Sequence, residues 1–561
     1  MSSNISRHFA TLGARQVHYR RAGDGPPVIL LHQSPMSSRE LVPMMRRLSA
    51  SHTVIAPDMP GYGASDPFLE TAVSTDLVSM DMLADNLAAF MDELGIPAAA
   101  LYGFHTGASV ATAFARRHPH RVVVVIAEGL LCLDESARRE LLASYLQPFV
   151  PQWDGAHLAW LWSRIKDQSI FFPWYTRTEH SRLSMDGASP AVLAVNALDW
   201  LRSGNHYTRC YAAALGYQPT LDLPNIGTPH YIVGRKGDPI AQQMQQWPAL
   251  GTNFHLQLYG SGSELEDAVD AIFQQYSARA HAPAVVPPEP LASGMWQDYV
   301  DSHGQQLRIA RVGDSDQPLA IVQHGAQGSL QSCAELITGL AQQRSVLAIE
   351  LPGHGETEPL PVADLNIDNL TQLLRGALQT LGVTGGDLLG IGVGVALQVE
   401  LVRARAIKAD SLSLINAIDV TVDPALQLQL FDSYRPIEHD SWGGFLLRAW
   451  HQARDHLLFF PWYERRRAYA AAGMPMLDSA VLQRRMIDLL LSGSSGNALC
   501  QAELHYPLSK RLTSLSVTPK FAAPVWEPRY AHTQRLAAAH GQFVALPREW
   551  QGAGKALLQG R

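Results

Sequence analysis

Along the first 135 residues, short apolar runs alternate with stretches of helical period. "PPVILLH" (26–32) and "HTVIAPD" (52–58) are apolar and end in turn signals, the pattern of strands buried on both faces of a parallel sheet. "VSMDMLADNLAAFMDELG" (78–95) spaces its apolar residues as one face of a helix does. "AAALYGF" (98–104) is strand-like again and runs into a small-residue helix pattern, and "RVVVVIAEG" (121–129) predicts a fourth strand. From about 135 to 220 the chain is rich in Trp, Phe and Arg with helical period, and "HYIVGRKGDP" (230–239) then resumes strand character. Alternating strands and helices with one late helical insertion predict an α/β domain with a doubly wound, mostly parallel sheet and a helical cap.

The pattern occurs twice. "FFPWY" stands at 171–175 and again at 459–463, 288 residues on, and Trp162, Asp167 and Arg177 recur at the same offset as Trp450, Asp455 and Arg465. "APDMPGYG" is answered by "AIELPGHG", and His32 to Asp58 spans 26 positions, as does His324 to Glu350. The chain therefore reads as a tandem duplication. Pro287, Pro288 and Pro290 mark an extended linker. The expected organisation is a domain at 1–282 with a cap at about 135–220, a linker at 283–293, and a domain at 294–561 with a cap at about 424–510. The halves are expected to pack as an internal pseudo-dimer.

Composition narrows the function. A chain of 561 residues exceeds a single core, and 47% hydrophobic with 17% charged residues is ordinary for a globular protein. A net charge of −7 without a basic patch argues against nucleic acid as a partner. No signal-peptide or membrane-length apolar run is present in the sequence, so a cytoplasmic protein with no membrane partner is expected. Cys132, Cys210, Cys333 and Cys500 are scattered, as reduced thiols are, and no metal-ligand spacing occurs. No cofactor is implied.

The chemistry concentrates on "GFHTG" (103–107), a glycine-bracketed turn between a strand and a helix. With "HQSP", "DMPGYGASDP" and "GRKGDP" in that order, both halves resemble the α/β-hydrolase superfamily, in the capped layout of haloalkane-dehalogenase-like and epoxide-hydrolase-like members. That resemblance implies a nucleophile on the turn, an acid after a later strand and a histidine near the end of the domain. Here the nucleophile position holds His105. The acid is Asp238 of "GDP" or Glu128 of "IAEGLL", and 257–272, where the family histidine would fall, offers Ser261 and Ser263 instead. In the second half the turn reads "GIGVG", with Gly392 at the nucleophile position, and the closing segment again lacks a histidine. His32 and Asp58 read as turn-capping residues, and "FFPWY" as cap core.

A strained turn position relaxes most readily to glycine, as at Gly392, so an ionisable ring kept at 105 points to use. Three roles are open to it: general base, ring-nitrogen nucleophile, or metal ligand with Glu128 and Asp238. The base is favoured, since imidazole needs only a carboxylate to fix its tautomer. The resemblance implies an oxyanion site at the backbone N–H groups of Gln33 and Thr106. A Trp-rich cap segment, with Trp162, Trp174 and Tyr175 beside Trp153 and Trp160, suggests a small apolar or aromatic substrate. The expectation is a cofactor-free hydrolase or lyase of a small carbonyl-type molecule. The alternative is a catalytically silent binding or scaffold protein on the same fold.

Overall fold

In the computed structural model, which describes residues 5–69, 78–242, 247, 250–276 and 281–559, the apolar runs become inner strands of two eight-stranded sheets. The remaining positions of the domains drawn at 1–282 and 294–561 lie outside the described residues. The chain divides into unit 1, residues 1–150 with 159–291, and unit 2, residues 151–158 with 292–561.

Unit 1 contains β1 (Ser6–Leu12), β2 (Arg15–Ala22), β3 (Pro27–Leu31), β4 (Thr53–Pro57), β5 (Ala99–Phe104), β6 (Val122–Glu128), β7 (His230–Arg235) and β8 (Phe254–Tyr259). Their order across the sheet is β1-β2-β4-β3-β5-β6-β7-β8. Only the pairs β1/β2 and β2/β4 are antiparallel. β3 and β4 are buried at every residue, as strands covered on both faces must be. The hairpin β1–β2 and the edge strand β8 were not foreseen from the apolar runs. β2 is "RQVHYRRA", whose buried His18 and Arg20 are satisfied by Asp58 and Ser38, and β8 exposes Leu256 and Leu258 at the sheet edge.

Unit 2 repeats the arrangement with β9 (Trp296–Ser302), β10 (Gln305–Val312), β11 (Leu319–Gln323), β12 (Ser345–Ile349), β13 (Gly385–Ile391), β14 (Lys408–Ile415), β15 (Lys520–Pro524) and β16 (Gln542–Leu546). Read from β9, the order is β9-β10-β12-β11-β13-β14-β15-β16, the order of unit 1 shifted by eight. Helices Glu135–Ser144, Ala156–Gln168, Pro190–Ser203 and Tyr207–Gly216 intervene between β6 and β7. Pro424–Ser433, Gly444–Leu458 and Ser479–His505 intervene between β14 and β15. No helix among the described residues is long and apolar enough to cross a membrane.

The duplicated aromatic word occupies matching backbone. Phe172 N–H donates to Ser181 O at 2.8 Å and Phe460 N–H to Tyr469 O at 3.0 Å, while Leu183 N–H reaches Ile170 O and Ala471 N–H reaches Leu458 O, both at 2.8 Å. Each pair is related by the 288-residue offset. Arg177 meets Asp167 at 2.8 Å, and Arg465 meets Asp455 at 3.4 Å.

The loops after β3 and β4 are held the same way in both units. His32 Nε2 accepts Met59 N–H at 2.8 Å, as His324 Nε2 accepts Leu351 N–H at 2.9 Å. Asp58 accepts the N–H groups of Ser38 (2.7 Å) and Ala64 (3.0 Å) and pairs with His18 Nδ1 (2.8 Å). Glu350 takes its place in unit 2 with Leu330 and Glu356 N–H. These groups are structural, as the sequence suggested. Asp58→Ala strands three donors, two of them buried, and is expected to lower the stability of unit 1 by about 3 kcal/mol or more. Urea unfolding checks this; a loss under about 1 kcal/mol would contradict it.

Candidate active site

β5 passes into helix Thr106–Arg117 through a turn so tight that the two glycines around it are required. A Cβ on Gly103 would stand 2.2 Å from Gly107 O, and one on Gly107 would stand 2.1 Å from Leu31 O. His105 between them takes φ 48 and ψ −104, a conformation that L residues adopt at a cost. Its N–H donates to Glu128 O at 2.9 Å. The ring stacks on Phe104, with centroids 4.1 Å apart, and rests on Gly129, where a Cβ would lie 2.3 Å from His105 Cδ2.

Both ring nitrogens have partners. Nε2 lies 3.0 Å from Asp238 Oδ2, and Asp238 Oδ1 accepts Ile240 N–H at 2.9 Å, which fixes the carboxylate. Burial pushes the Asp238 carboxyl up, but His105, the Ile240 N–H and the Arg235 charge together hold it below the usual range. Nδ1 lies 3.1 Å from Gln33 Oε1. Gln33 is itself clamped by Glu40, which accepts its backbone N–H at 2.7 Å and its Nε2 at 3.0 Å. Burial raises Glu40 to about 7 against those two hydrogen bonds.

The chain of partners restricts where protons sit. An ionised Glu40 only accepts, so the Gln33 amide presents its NH2 to Glu40 and its oxygen to His105; both imidazole nitrogens then face acceptors. A protonated Glu40 can donate to the amide oxygen instead. The amide then turns and offers its NH2 to a lone pair on Nδ1.

The remaining expected residues fall in different places. Glu128 does not orient the imidazole: its carboxylate is buried against Arg235 Nε at 2.7 Å and accepts the Tyr102 hydroxyl, and only its main-chain carbonyl reaches residue 105. The Gln33 N–H does not form an oxyanion site, because Glu40 occupies it. The neighbouring Ser34 N–H donates to Thr106 Oγ1 at 3.3 Å. Thr106 lines the cavity beside His105. Trp162, Trp174 and Tyr175 do not line it. They sit in the cap, where the Trp174 indole donates to Tyr145 O at 3.2 Å and Tyr175 packs in the same apolar cluster. The cavity wall is instead Leu131, Tyr145, Phe172, Tyr211, Leu215 and Ile240, around a volume of about 30 Å³. Ser261 caps helix Gly262–Gln275, and Ser263 lies 3.1 Å from it, so neither replaces the family histidine. The sequence reading missed Glu40 and the Gln33 side chain, for which only the tie between "HQ" and a carboxylate seven residues on could have given a signal.

The alpha/beta hydrolase fold family matches residues 26–153. This is the α/β-hydrolase fold. Over 135 residues an uncharacterized hydrolase of Saccharomyces cerevisiae is 33% identical, covering 23% of this chain and 44% of that protein. A soluble epoxide hydrolase of Corynebacterium sp. is 34% identical over 119 residues, 20% of this chain and 38% of the relative. The chain thus spans less than half the length of these relatives. Epoxide hydrolase A of Mycobacterium thermoresistibile is 17% identical, with a TM-score of 0.38 over 49% of this chain and 100% of that one.

Glu40 gives the site a pH signature. A carboxyl held at about 7 when folded, and near 4.3 when unfolded, contributes stability that is fully present below the unfolded value and is lost as pH rises to about 7. Wild type should therefore lose up to about 3 kcal/mol relative to Glu40→Gln across that window and track it above. Urea midpoints between pH 4.5 and 8 test this, and parallel curves would contradict it.

Proposed function

We propose that unit 1 is a cofactor-free, general-base hydrolase site for a small, mainly apolar molecule. The observation that carries this reading is the 3.0 Å pairing of His105 Nε2 with Asp238 on the turn where the fold displays its reacting group. With Nε2–H held by Asp238, the ring keeps a lone pair on Nδ1. A water that displaces the Gln33 amide from Nδ1 gives its proton to that nitrogen while its oxygen attacks the substrate carbon; the carbon–oxygen bond of the substrate breaks, the released oxygen takes the proton back from the imidazolium, and Asp238 stabilises that imidazolium in between. Ser109 Oγ, buried without a partner on the same cavity, supplies a further anchor for that water. About 30 Å³ holds one or two waters, so a substrate enters only as the cap residues Tyr145, Phe172 and Tyr211 move apart. The Gln33 and Ser34 N–H groups are engaged, so the negative oxygen of a carbonyl addition, or of an opened epoxide, the substrate class named by one relative, must take its hydrogen bond from elsewhere on the cavity.

A specific observation favours the second reading, a silent binding protein: Gln33, clamped by Glu40, already covers Nδ1. The readings separate in a hydrolysis screen of small epoxides and esters with the full chain. For the first, His105→Ala should lower kcat/KM by about 100-fold or more at unchanged Tm, Asp238→Asn should also lower it, and His105→Ser should fold yet stay inactive. Full activity in His105→Ala would make the imidazole a passenger, and no turnover of any probe by wild type would favour the binding protein.

A further inference from the structure

Unit 2 has the same turn with no side chain on it. Gly392 takes φ 55 and ψ −120 at the start of helix Val393–Arg403, close to the backbone that presents His105. A Cβ built there would stand 3.5 Å from Gly325 Cα, 3.6 Å from Glu503 Oε1 and 3.7 Å from Arg529 Nη1, ordinary contacts with no clash, and Gly392 borders the cavity. The cavity at this point has a volume of about 180 Å³, against about 30 Å³ beside His105. An apolar cavity of about 150 Å³ takes up benzene, so a ring-sized body fits here. Tyr434, Phe460, Trp462 and Trp550 supply aromatic walls for it.

The polar lining is incomplete without a ligand. Arg529 Nη1 is paired with Glu503 Oε1 at 2.7 Å, and Asn416 Nδ2 donates to Glu527 Oε2 at 3.1 Å. Arg485, on cap helix Ser479–His505, lines the cavity yet makes no hydrogen bond or ion pair among the described residues. Burial pulls its guanidinium down, and Glu527 and Asp488 counter this only from a distance. Asn416 Oδ1 and Asp488 Oδ2 are buried acceptors on the same cavity without a hydrogen-bond partner among the described residues. A half-buried guanidinium that faces the cavity has no anion partner among the described residues, and these two buried acceptors have no donor there, so a ligand that supplies both completes the lining. The N-terminus of helix Val393–Arg403 opens at the same place and also favours negative charge.

We propose that this cavity binds a small organic carboxylate that carries a hydrogen-bond donor and a ring-sized apolar body. Arg485 holds the carboxylate, Asn416 Oδ1 or Asp488 Oδ2 accepts from the donor, and the aromatic walls cover the body. Gly392 supplies no nucleophile at the turn, and the proposal is one of binding. It does not rest on the reading given to the His105 site.

Calorimetric titration of the full chain tests this with 3-phenyllactate as the probe. Two analogues accompany it: 3-phenylpropionate, which lacks the hydroxyl donor, and 2-phenylethanol, which lacks the carboxylate. The expected result is saturable binding of one phenyllactate per chain, weaker binding of phenylpropionate, and a loss of about tenfold or more for phenylethanol. Arg485→Met should weaken phenyllactate by about the same factor. Gly392→His, a residue that this backbone already carries in unit 1, should fill the space and abolish binding. His105→Ala should leave the titration unchanged. The proposal is overturned by the absence of saturable heat with wild type at millimolar probe, or by unchanged affinity in folded Arg485→Met. If Arg485→Met does not fold, Gly392→His decides, and retained binding there overturns it equally.

Discussion

The close approach of strand β5 to the helix that follows it sets the position of everything chemical in unit 1. Gly103 and Gly107 remove the two Cβ atoms that would collide with Gly107 O and Leu31 O, and the chain between them must then reverse within one residue. That residue, His105, is forced to positive φ and thrust over the carboxyl ends of β5 and β6. Asp238 after β7 and Gln33 after β3 come within hydrogen-bond reach because their strands flank this point in the sheet. The same constraint operates in unit 2. A Cβ on Gly390 would meet Gly394 O at 2.3 Å, one on Gly394 would meet Gln323 O at 2.5 Å, and residue 392 again takes positive φ.

What differs between the units is what stands on that residue. An imidazole at 105 fills the space over the turn and leaves about 30 Å³; glycine at 392 relieves the backbone strain and leaves about 180 Å³. Each unit then satisfies its buried charge differently. In unit 1 the groups form a closed series, Asp238 to His105 to Gln33 to Glu40, with every link between 2.7 and 3.1 Å. In unit 2 Arg529, Glu503, Glu527 and Asn416 pair among themselves, while Arg485 is left over.

Much of the architecture could be read from the residues because it rests on short-range patterns. β3 and β4 are apolar runs bounded by turns, the reverse turn is marked by its two glycines, and the repeated "FFPWY" gave the correspondence that the backbone hydrogen bonds reproduce. β2 and β8 were hidden because their sequences do not look like buried strands. One carries buried His18 and Arg20, whose partners Asp58 and Ser38 lie 40 and 18 positions along the chain; the other lies at an exposed edge. At the site, spacing alone could not choose between Glu128 and Asp238. The choice depends on Arg235, one strand over, which draws the Glu128 carboxylate to itself. Nor could composition show that Trp162 and Trp174 pack inward while Phe172 and Tyr211 face the cavity.

The proposed base chemistry requires that Asp238, 3.0 Å from Nε2, hold the imidazole of His105 through that nitrogen and leave Nδ1 to work. Nuclear magnetic resonance on protein labelled with ¹⁵N in its histidine rings measures this directly, with His105→Ala assigning the signals. The expected result is a downfield, slowly exchanging Nε2–H proton for His105 that disappears in Asp238→Ala, and a Nδ1 signal that shifts in Gln33→Ala. An Nε2 signal that is the same with and without the Asp238 carboxylate would contradict it.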